Sequence, residues 1–311
     1  MNSSPEISIV TVGMNHLSLL KKFLVSLYVT SRPSISFELI YVDNCSKDGT
    51  VQYISRNYPS VKIISNQKPK GFSENNNLGV KASKGKYVAI INPDIILLHK
   101  SIDSLYEYLE QNPEIGILVP QLLNTDLTVQ YSARRFMNIR TLTLRVLHNA
   151  RDNVKSRIVD RYLLKDLDTN TIQAVDWALG AAMLLRRDYY NELNGFDEDY
   201  FLYVEDVDIC LRSWKMGRPV VYYPHSVMIH AHQKSSNKAF SKKKLMHLKS
   251  MITFFVKHKI FLGTEDIMNY ADKANKHLLE YFNLPALSRQ NLTRQSKSFR
   301  GSLKYDLQEQ P

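Results

Sequence analysis

The stretch FELIYVDNCSKDGTVQYI, residues 37–54, sets the fold class. Phe37 to Val42 is apolar but for Glu38 near its start, and contains β-branched and aromatic residues. A strand with one wet face alternates in polarity, whereas one covered on both faces reads as a continuous run. The run stops at Asp43-Asn44-Cys45-Ser46-Lys47-Asp48-Gly49-Thr50, whose short polar side chains can satisfy a turn's own backbone. Val51 and Ile54 then recur at helical spacing. The stretch is a strand, a polar turn and a helix.

The same unit repeats on either side. Upstream, Ile7 to Val12 is a buried strand, and Asn15 is placed to cap a helix with Leu17, Leu20, Leu24 and Leu27 on one face. Downstream, Val61 to Ser65 is a strand, and a helix runs from the asparagine cluster Asn75, Asn76 and Asn77 to about Ser83. Tyr87 to Ile91 is a fourth strand, ending at Asn92-Pro93-Asp94. Strands alternating with helices make βαβ units, so the chain is α/β, with a mainly parallel Rossmann-like sheet and helices on both faces. A helix over 101–111 and a strand over 115–119 continue the pattern.

Ligands in such sheets collect at the carboxyl ends of the strands. Three polar clusters fall there: Thr11 to Asn15, Asp43 to Asp48, and Asn92 to Asp94. Each one alone also reads as an ordinary turn. The chain has no GxxxxGK[ST], and no GxGxxG after the first strand, so neither a P-loop ATPase nor a Rossmann dehydrogenase is supported. A nucleotide would be held by side chains and a metal, for which the Asp94 carboxylate is a suitable hard ligand.

The second half centres on VDWALGAAMLLRRDYYNELNGFDEDYFLYVEDVDICLRSWKMG, residues 175–217. Gly180 to Leu185 is an apolar strand. An aromatic approach, Phe196 to Val204, leads to a helix opening with Glu205, Asp206 and Asp208 and closing at Gly217, where glycine suits a left-handed cap. Two readings stand for the carboxylates: helix-start charges favoured by the macrodipole, or chemistry. Beyond them, Val220 to Tyr223 and Val227 to Ile229 are two short strands around Pro224, followed by His230 and His232. Alternating histidines after a carboxylate-rich segment suit a metal. A helix from Ser241 sets Leu245, Leu248, Ile252 and Phe255 on one face, expected to pack on the sheet.

The 311 residues carry a net charge of +11, with 44% apolar and 23% charged residues, the profile of a soluble globular protein. No apolar run reaches the ~18–20 residues that cross a bilayer. The N-terminus lacks a secretory layout, and Cys45 and Cys210 have no metal-ligand spacing, so the expected setting is cytoplasmic. From Asn237 to Pro311 there are 14 Lys and Arg against 6 Asp and Glu, a net +8 of the +11. This basic tail reads either as a solvated helical face or as one that meets an anionic surface such as phospholipid. Residues 130–170 are Arg-rich and weakly patterned, like an insertion that covers a site or contacts an acceptor. Nucleic-acid binding would rest on charge alone, and no recognition-helix pattern supports it.

Six motifs in order, VDNCSKDGT (42–50), KGFSENNNLG (70–79), INPD (91–94), WALGAAMLLRR (177–187), GFDEDYFLYVEDVDICLR (195–212) and IHAHQKSS (229–236), resemble family 2 glycosyltransferases of GT-A fold. The closest likeness is to the rhamnosyltransferase-like branch that builds bacterial surface polysaccharide. The resemblance covers about residues 6–260 and implies an inverting, metal-dependent transfer of a hexose or deoxyhexose such as rhamnose. The donor would be a nucleotide diphosphate-sugar. The acceptor would be an oligosaccharide or lipid-linked glycan. It further implies that Asp43 and Thr11 contact the base, that Lys70, Gly71, Phe72, Asn75 and Asn76 close over nucleotide and sugar, and that Asn92-Pro93-Asp94 replaces an Asp-x-Asp motif. Asp94 would then be the main ligand for Mg²⁺ or Mn²⁺, with His230 completing the set and His232 as the alternative. Asp206 matches the catalytic base, with Glu205 beside it, and Trp177 and Gly180 fall on the acceptor side.

The expected organisation is one domain over 1–260, divided into a nucleotide-sugar half (1–125), the basic insertion (126–170) and an acceptor and catalytic half (171–236). A helical basic extension over 261–311 would hold the enzyme against inner-leaflet phospholipid. Two alternatives are a nonenzymatic nucleotide-sugar or glycan-binding module of the same fold and a sugar-phosphate nucleotidyltransferase. The latter opens with a Gly- and Arg-rich loop after the first strand, where this chain has only Gly13.

Overall fold

The computed structural model describes residues 4–137, 141–144, 148, 154–231, 242–260 and 270–281. In chain order the elements are β1 (Ile7–Gly13), α1 (Leu17–Val25) running into a π-helical turn (Ser26–Thr30), β2 (Phe37–Asp43), α2 (Thr50–Asn57), β3 (Lys62–Ser65), α3 (Phe72–Lys81), β4 (Tyr87–Ile91), β5 (Ile95–Leu97), α4 (Ser101–Gln111) and β6 (Ile117–Leu123). They continue with β7 (Ala133–Arg134), α5 (Arg157–Tyr162), β8 (Gln173–Ala174), β9 (Trp177–Ala178), β10 (Ala182–Arg186), α6 (Arg187–Glu192), α7 (Glu205–Lys215), β11 (Val220–His230), α8 (Lys242–His258) and α9 (Tyr270–Tyr281).

The main sheet runs β3-β2-β1-β4-β10-β6-β11-β5, with β8 added to β11. Strands β1 to β4 pair in parallel, β10 is antiparallel to both β4 and β6, and β11 is parallel to β6. Six of the nine strands therefore share one direction, as the βα alternation implies. The largely apolar strands have the expected cause. In β1, β2 and β4, Val10, Ile40, Val42, Val88 and Ile90 face one core, while Ile9, Leu39, Tyr41, Tyr87 and Ala89 face the other. Helices α1 and α4 cover the second face through Leu20, Leu24, Leu105 and Leu109. The first face is covered by Val80 of α3, Tyr189 and Tyr190 of α6, and Val207, Ile209 and Leu211 of α7.

Several local expectations are corrected. Asn15 does not cap α1: its side-chain oxygen accepts the Lys47 amide at 2.7 Å, and the Leu17 amide donates to Asp48 Oδ2 at 2.9 Å. Asp48 also accepts the Thr50 amide, so one carboxylate from the 43–50 turn serves the starts of α1 and α2. The two short strands around Pro224 are one strand, β11, whose register shifts between Tyr223 and Val227. Pro120 of β6 pairs opposite Tyr223 at that shift, and neither Pro120 nor Pro224 has an N–H for the ladder, so an irregularity there leaves fewer donors stranded. The strand expected to end at Val119 therefore continues through Pro120 to Leu123.

Helix α8 also turns the other way. Met251, Phe254 and Phe255 are buried, while Leu245 is 70% and Ile252 56% exposed. Helix α9, from the stretch set apart as an extension, packs on the same body. Arg135 forms a two-pronged salt bridge with Asp272 at 2.8 Å, Asn275 exchanges hydrogen bonds with the Ala174 backbone, and Tyr270 stacks on Trp214. No helix among the described residues is long and apolar enough to cross a membrane.

Candidate active site

Strands β1, β2 and β4 end together, which brings Thr11, Asp43 and Asn92 to one edge of the sheet. Gly13 pairs with Asp43, and Val10 with Ile90. Asp43 is 4% exposed and accepts the Ser46 amide through both oxygens. Thr11 is fully buried, its hydroxyl without a partner.

Beside them the loop ahead of α3 is clamped by amides. Asn44 accepts the Lys70 N–H at 2.8 Å and donates to the Lys70 carbonyl at 3.0 Å, while Asn66 bridges Asn44 and Asn75. Asn75 donates to the Gly71 carbonyl and Asn76 to that of Phe72, and both are buried. The two asparagines thus hold the loop through its backbone. Lys70 pairs with Glu74 at 2.6 Å. At Gly71 a Cβ would stand 2.8 Å from the Phe201 carbonyl oxygen, and the Phe72 amide donates to that same oxygen at 2.8 Å. Only glycine lets the 70–72 loop approach the 200–204 segment so closely.

That segment delivers the acidic pair. Tyr203 and Val204 both adopt positive φ, 69° and 75°. For a β-branched residue this is a true outlier, of the kind that persists where packing over-determines it. The turn swings the chain directly into α7, whose first residues are Glu205 and Asp206. Asp206 is half-buried; its Oδ1 accepts the Val207 amide at 2.9 Å and its Oδ2 the Gly180 amide at 3.1 Å. Glu205 is 6% exposed, and its Oε2 has no partner. Burial and the neighbouring Asp206 push the Glu205 carboxyl well up. Burial also raises Asp206, opposed by the Gly180 and Val207 amides and by the Arg134 charge. Asp206 has the Gly180 and Val207 amides and the Arg134 charge opposing its burial, whereas Glu205 has only its own amide and the charges of Asp206 and Asp208 add to its burial, so Glu205 is pushed up the more strongly of the two.

Asp208 belongs to the frame. Burial opposes its charge, but hydrogen bonds from His258 and Arg212, each at 2.7 Å, hold its carboxyl below the ordinary value. It thereby fastens the end of α8 to α7.

Gly180 links the acidic pair to the Asn92-Pro93-Asp94 turn. Its amide holds Asp206, and the carbonyl of the next residue, Ala181, accepts the Asn92 amide at 2.9 Å. A Cβ on Gly180 would lie 3.3 Å from that of Asp206 and 3.9 Å from the Phe72 ring. Two residues past Asn92, Asp94 Oδ1 stands 3.4 Å from His230 Nε2. The other ring nitrogen of His230, Nδ1, meets Gln130 Oε1 at 2.7 Å. Octahedral ligands roughly 2.1 Å from a metal stand about 3 Å apart, close to the separation of Asp94 Oδ1 and His230 Nε2. The pair therefore fits a hard divalent ion, although no group of three or more His, Cys, Asp or Glu forms a complete cage among the described residues. His232 lies outside the described residues.

Trp177 stands differently from its expected place on the acceptor side. It is 4% exposed, donates to the Arg135 carbonyl at 2.7 Å, and has the Arg134 guanidinium over its ring. It braces the insertion, and the Arg134 charge above it is felt at Asp206. Asn44, Asn66, Gln130 and the effect of the Arg134 charge on Asp206 were not foreseen in the site. They link residues distant in sequence, and the only local signals were the Asp43 turn and the Arg-rich composition.

Asp176, one residue before Trp177, is fully buried, and its Oδ1 is unpartnered. Burial raises its carboxyl to about 7 against the pull of the Phe136 amide, Arg135 and the Ala271 amide. A raised acid pKa favours the neutral folded form, so stability should fall as pH climbs from about 4 towards 7 and level off above. The difference amounts to roughly 4 kcal/mol. Asp176→Asn removes this ionisation. Thermal unfolding from pH 5 to 8 should show the variant's midpoint falling less than that of the parent; parallel curves would contradict the assignment.

Residues 8–172 match the family described as Glycosyl transferase family 2. The rhamnosyltransferase WbbL of Escherichia coli (strain K12) is 28% identical over 261 residues, covering 81% of this chain and 93% of that protein. The N-acetylglucosaminyl-diphospho-decaprenol L-rhamnosyltransferase of Mycobacterium tuberculosis (strain CDC 1551 / Oshkosh) is 29% identical over 248 residues, covering 76% and 79%. Among solved structures, the mannosyltransferase PcManGT of Pyrobaculum calidifontis, in complex with GDP-Man and Mn²⁺, superposes with a TM-score of 0.58 at 16% identity, over 96% of this chain and 81% of that one. That likeness shows the fold.

Proposed function

This chain belongs to glycosyl transferase family 2, and from that premise we propose an inverting, divalent-metal-dependent transfer of a deoxyhexose, rhamnose or a close relative, from a nucleotide diphosphate-sugar to a lipid-linked glycan. The observation that carries the proposal is the Gly180–Ala181 link, which ties the Asp206 carboxylate to the turn bearing Asp94. A base and a phosphate-side ligand at one strand end are what a single-displacement transfer needs. The similarity to two rhamnosyltransferases favours the deoxyhexose. The name of the mycobacterial relative, with its sugar on a diphospho-decaprenol, favours the lipid-linked acceptor.

Asp43 and Thr11 receive the base. The Lys70–Phe72 loop, positioned by Asn75 and Asn76, covers the nucleotide, and Asn92 lies beside the diphosphate. Asp206 accepts the proton of the acceptor hydroxyl as that oxygen bonds to the anomeric carbon from the face opposite the diphosphate. The anomeric C–O bond breaks, and the electron pair leaves on the diphosphate. A divalent cation on Asp94 and His230 would supply positive charge for that leaving group. The raised Glu205 carboxyl favours its neutral form, which spares Asp206 a second negative charge, and the Arg134 charge favours the ionised form of Asp206.

A panel of nucleotide-sugars tests the donor by thermal stabilisation, with and without Mn²⁺ or Mg²⁺. A nucleoside diphosphate-deoxyhexose at 100 times its Kd should stabilise by about 2.7 kcal/mol. If no nucleotide-sugar in the panel raises the midpoint, the proposal fails.

A further inference from the structure

Helix α8 presents its apolar residues outward. Leu245, Leu248, Ile252 and Val256 recur at intervals of three and four, one stripe along the helix, and are 70%, 49%, 56% and 56% exposed. The opposite side buries Ser250, Met251 and Phe254. An amphipathic helix packed on a domain does the reverse, so the stripe calls for an occupant. The helix packs against the segment leading to Glu205 and Asp206. Ser250 Oγ donates to the Leu202 carbonyl at 3.0 Å, and Tyr203 lies against His247. Phe201 and Tyr203 in that segment are exposed as well.

Charge selects the occupant. The 17 residues of α8 include five lysines, Lys242, Lys243, Lys244, Lys249 and Lys257, and no carboxylate. A second copy docked on this face would set lysines against lysines. The chain's own final residues, 282–311, carry five Lys and Arg against two acids, and would be repelled too. Anionic phospholipid is complementary on both counts. Aliphatic side chains enter the headgroup–acyl boundary, and Lys249, exposed within the stripe, can extend its stem and leave its ammonium among phosphates.

We propose that α8 docks on an anionic phospholipid surface through Leu245, Leu248, Ile252 and Val256, and so holds the Phe201–Asp206 segment at the membrane where a lipid-linked acceptor is presented. The inference deepens the lipid-linked acceptor reading and rests on it. It also moves the membrane contact from the C-terminal extension to a helix beside the catalytic turn.

The test is co-sedimentation of the full chain with vesicles of phosphatidylcholine alone or containing phosphatidylglycerol. The parent should bind only the anionic vesicles, and Leu245→Asp/Ile252→Asp should lower that binding at least tenfold with an unchanged unfolding midpoint and oligomeric state. Equal binding by the variant, or no anionic binding by the parent, overturns the proposal. So does a variant that unfolds earlier or dissociates an oligomer, because protein would then be covering the stripe. Vesicle binding needs neither donor nor turnover. A chain that transfers sugar but ignores vesicles therefore defeats this inference alone, and one that binds vesicles but no nucleotide-sugar defeats only the proposed reaction.

Discussion

Asp206→Asn should lower turnover by about 10²–10⁴-fold while leaving donor binding within a fewfold of the parent. Asparagine is nearly the same shape as aspartate, and its remaining oxygen can still accept the Gly180 or Val207 amide, so α7 and the Gly180 strand should keep their places. What is lost is the basic lone pair. Donor affinity and single-turnover rate measured on one preparation separate the two effects, and near-normal turnover would remove Asp206 from the mechanism. The pH profile adds a signature. Burial raises Asp206 above the ordinary carboxylate value, so activity should appear as pH rises through that raised value. The variant should lose the rising limb.

Asp94→Ala should act on binding. Removing this carboxylate leaves His230 without the acidic partner that stands 3.4 Å from it. Divalent-dependent donor affinity should fall by one to two orders of magnitude, the range seen when support for a metal site is lost. Affinity in the presence of a chelator, already low, should hardly change. Isothermal titration with and without Mn²⁺ reads both arms. A parent chain that binds the donor equally well in chelator would remove the metal from Asp94, and Asp206→Asn, with its cation site intact, should keep the parent's metal dependence.

The parallel half of the sheet was legible because its information is local. Val10, Ile40 and Ile90 face one core and Ile9, Leu39 and Ala89 the other, so consecutive positions of each strand are apolar rather than alternating. The turn into α7 was legible because Gly195, the aromatic approach, the acidic pair and Gly217 lie in one stretch, and Gly217 does adopt the left-handed conformation foreseen for it. The orientation of α8 was not. Its sequence has apolar residues on two sides, Leu245, Leu248 and Ile252 on one and Met251 and Phe254 on the other, and periodicity cannot say which meets the core. Long-range partners were equally hidden. Asp48 caps a helix that precedes it by 31 residues. Gln130 orients a histidine 100 residues on. Asparagine 44 grips a loop 26 residues away. Each is a single polar residue in an unremarkable context, and only the folded sheet edge gives it a role.

The direct test is a crystal structure of the chain with Mn²⁺ and an intact, non-hydrolysable nucleotide diphosphate-sugar. Anomalous scattering should place the metal on Asp94 and His230 against the diphosphate, with the anomeric carbon between it and Asp206. A metal elsewhere, or an Asp206 carboxylate that opens away from the sugar, would contradict the account.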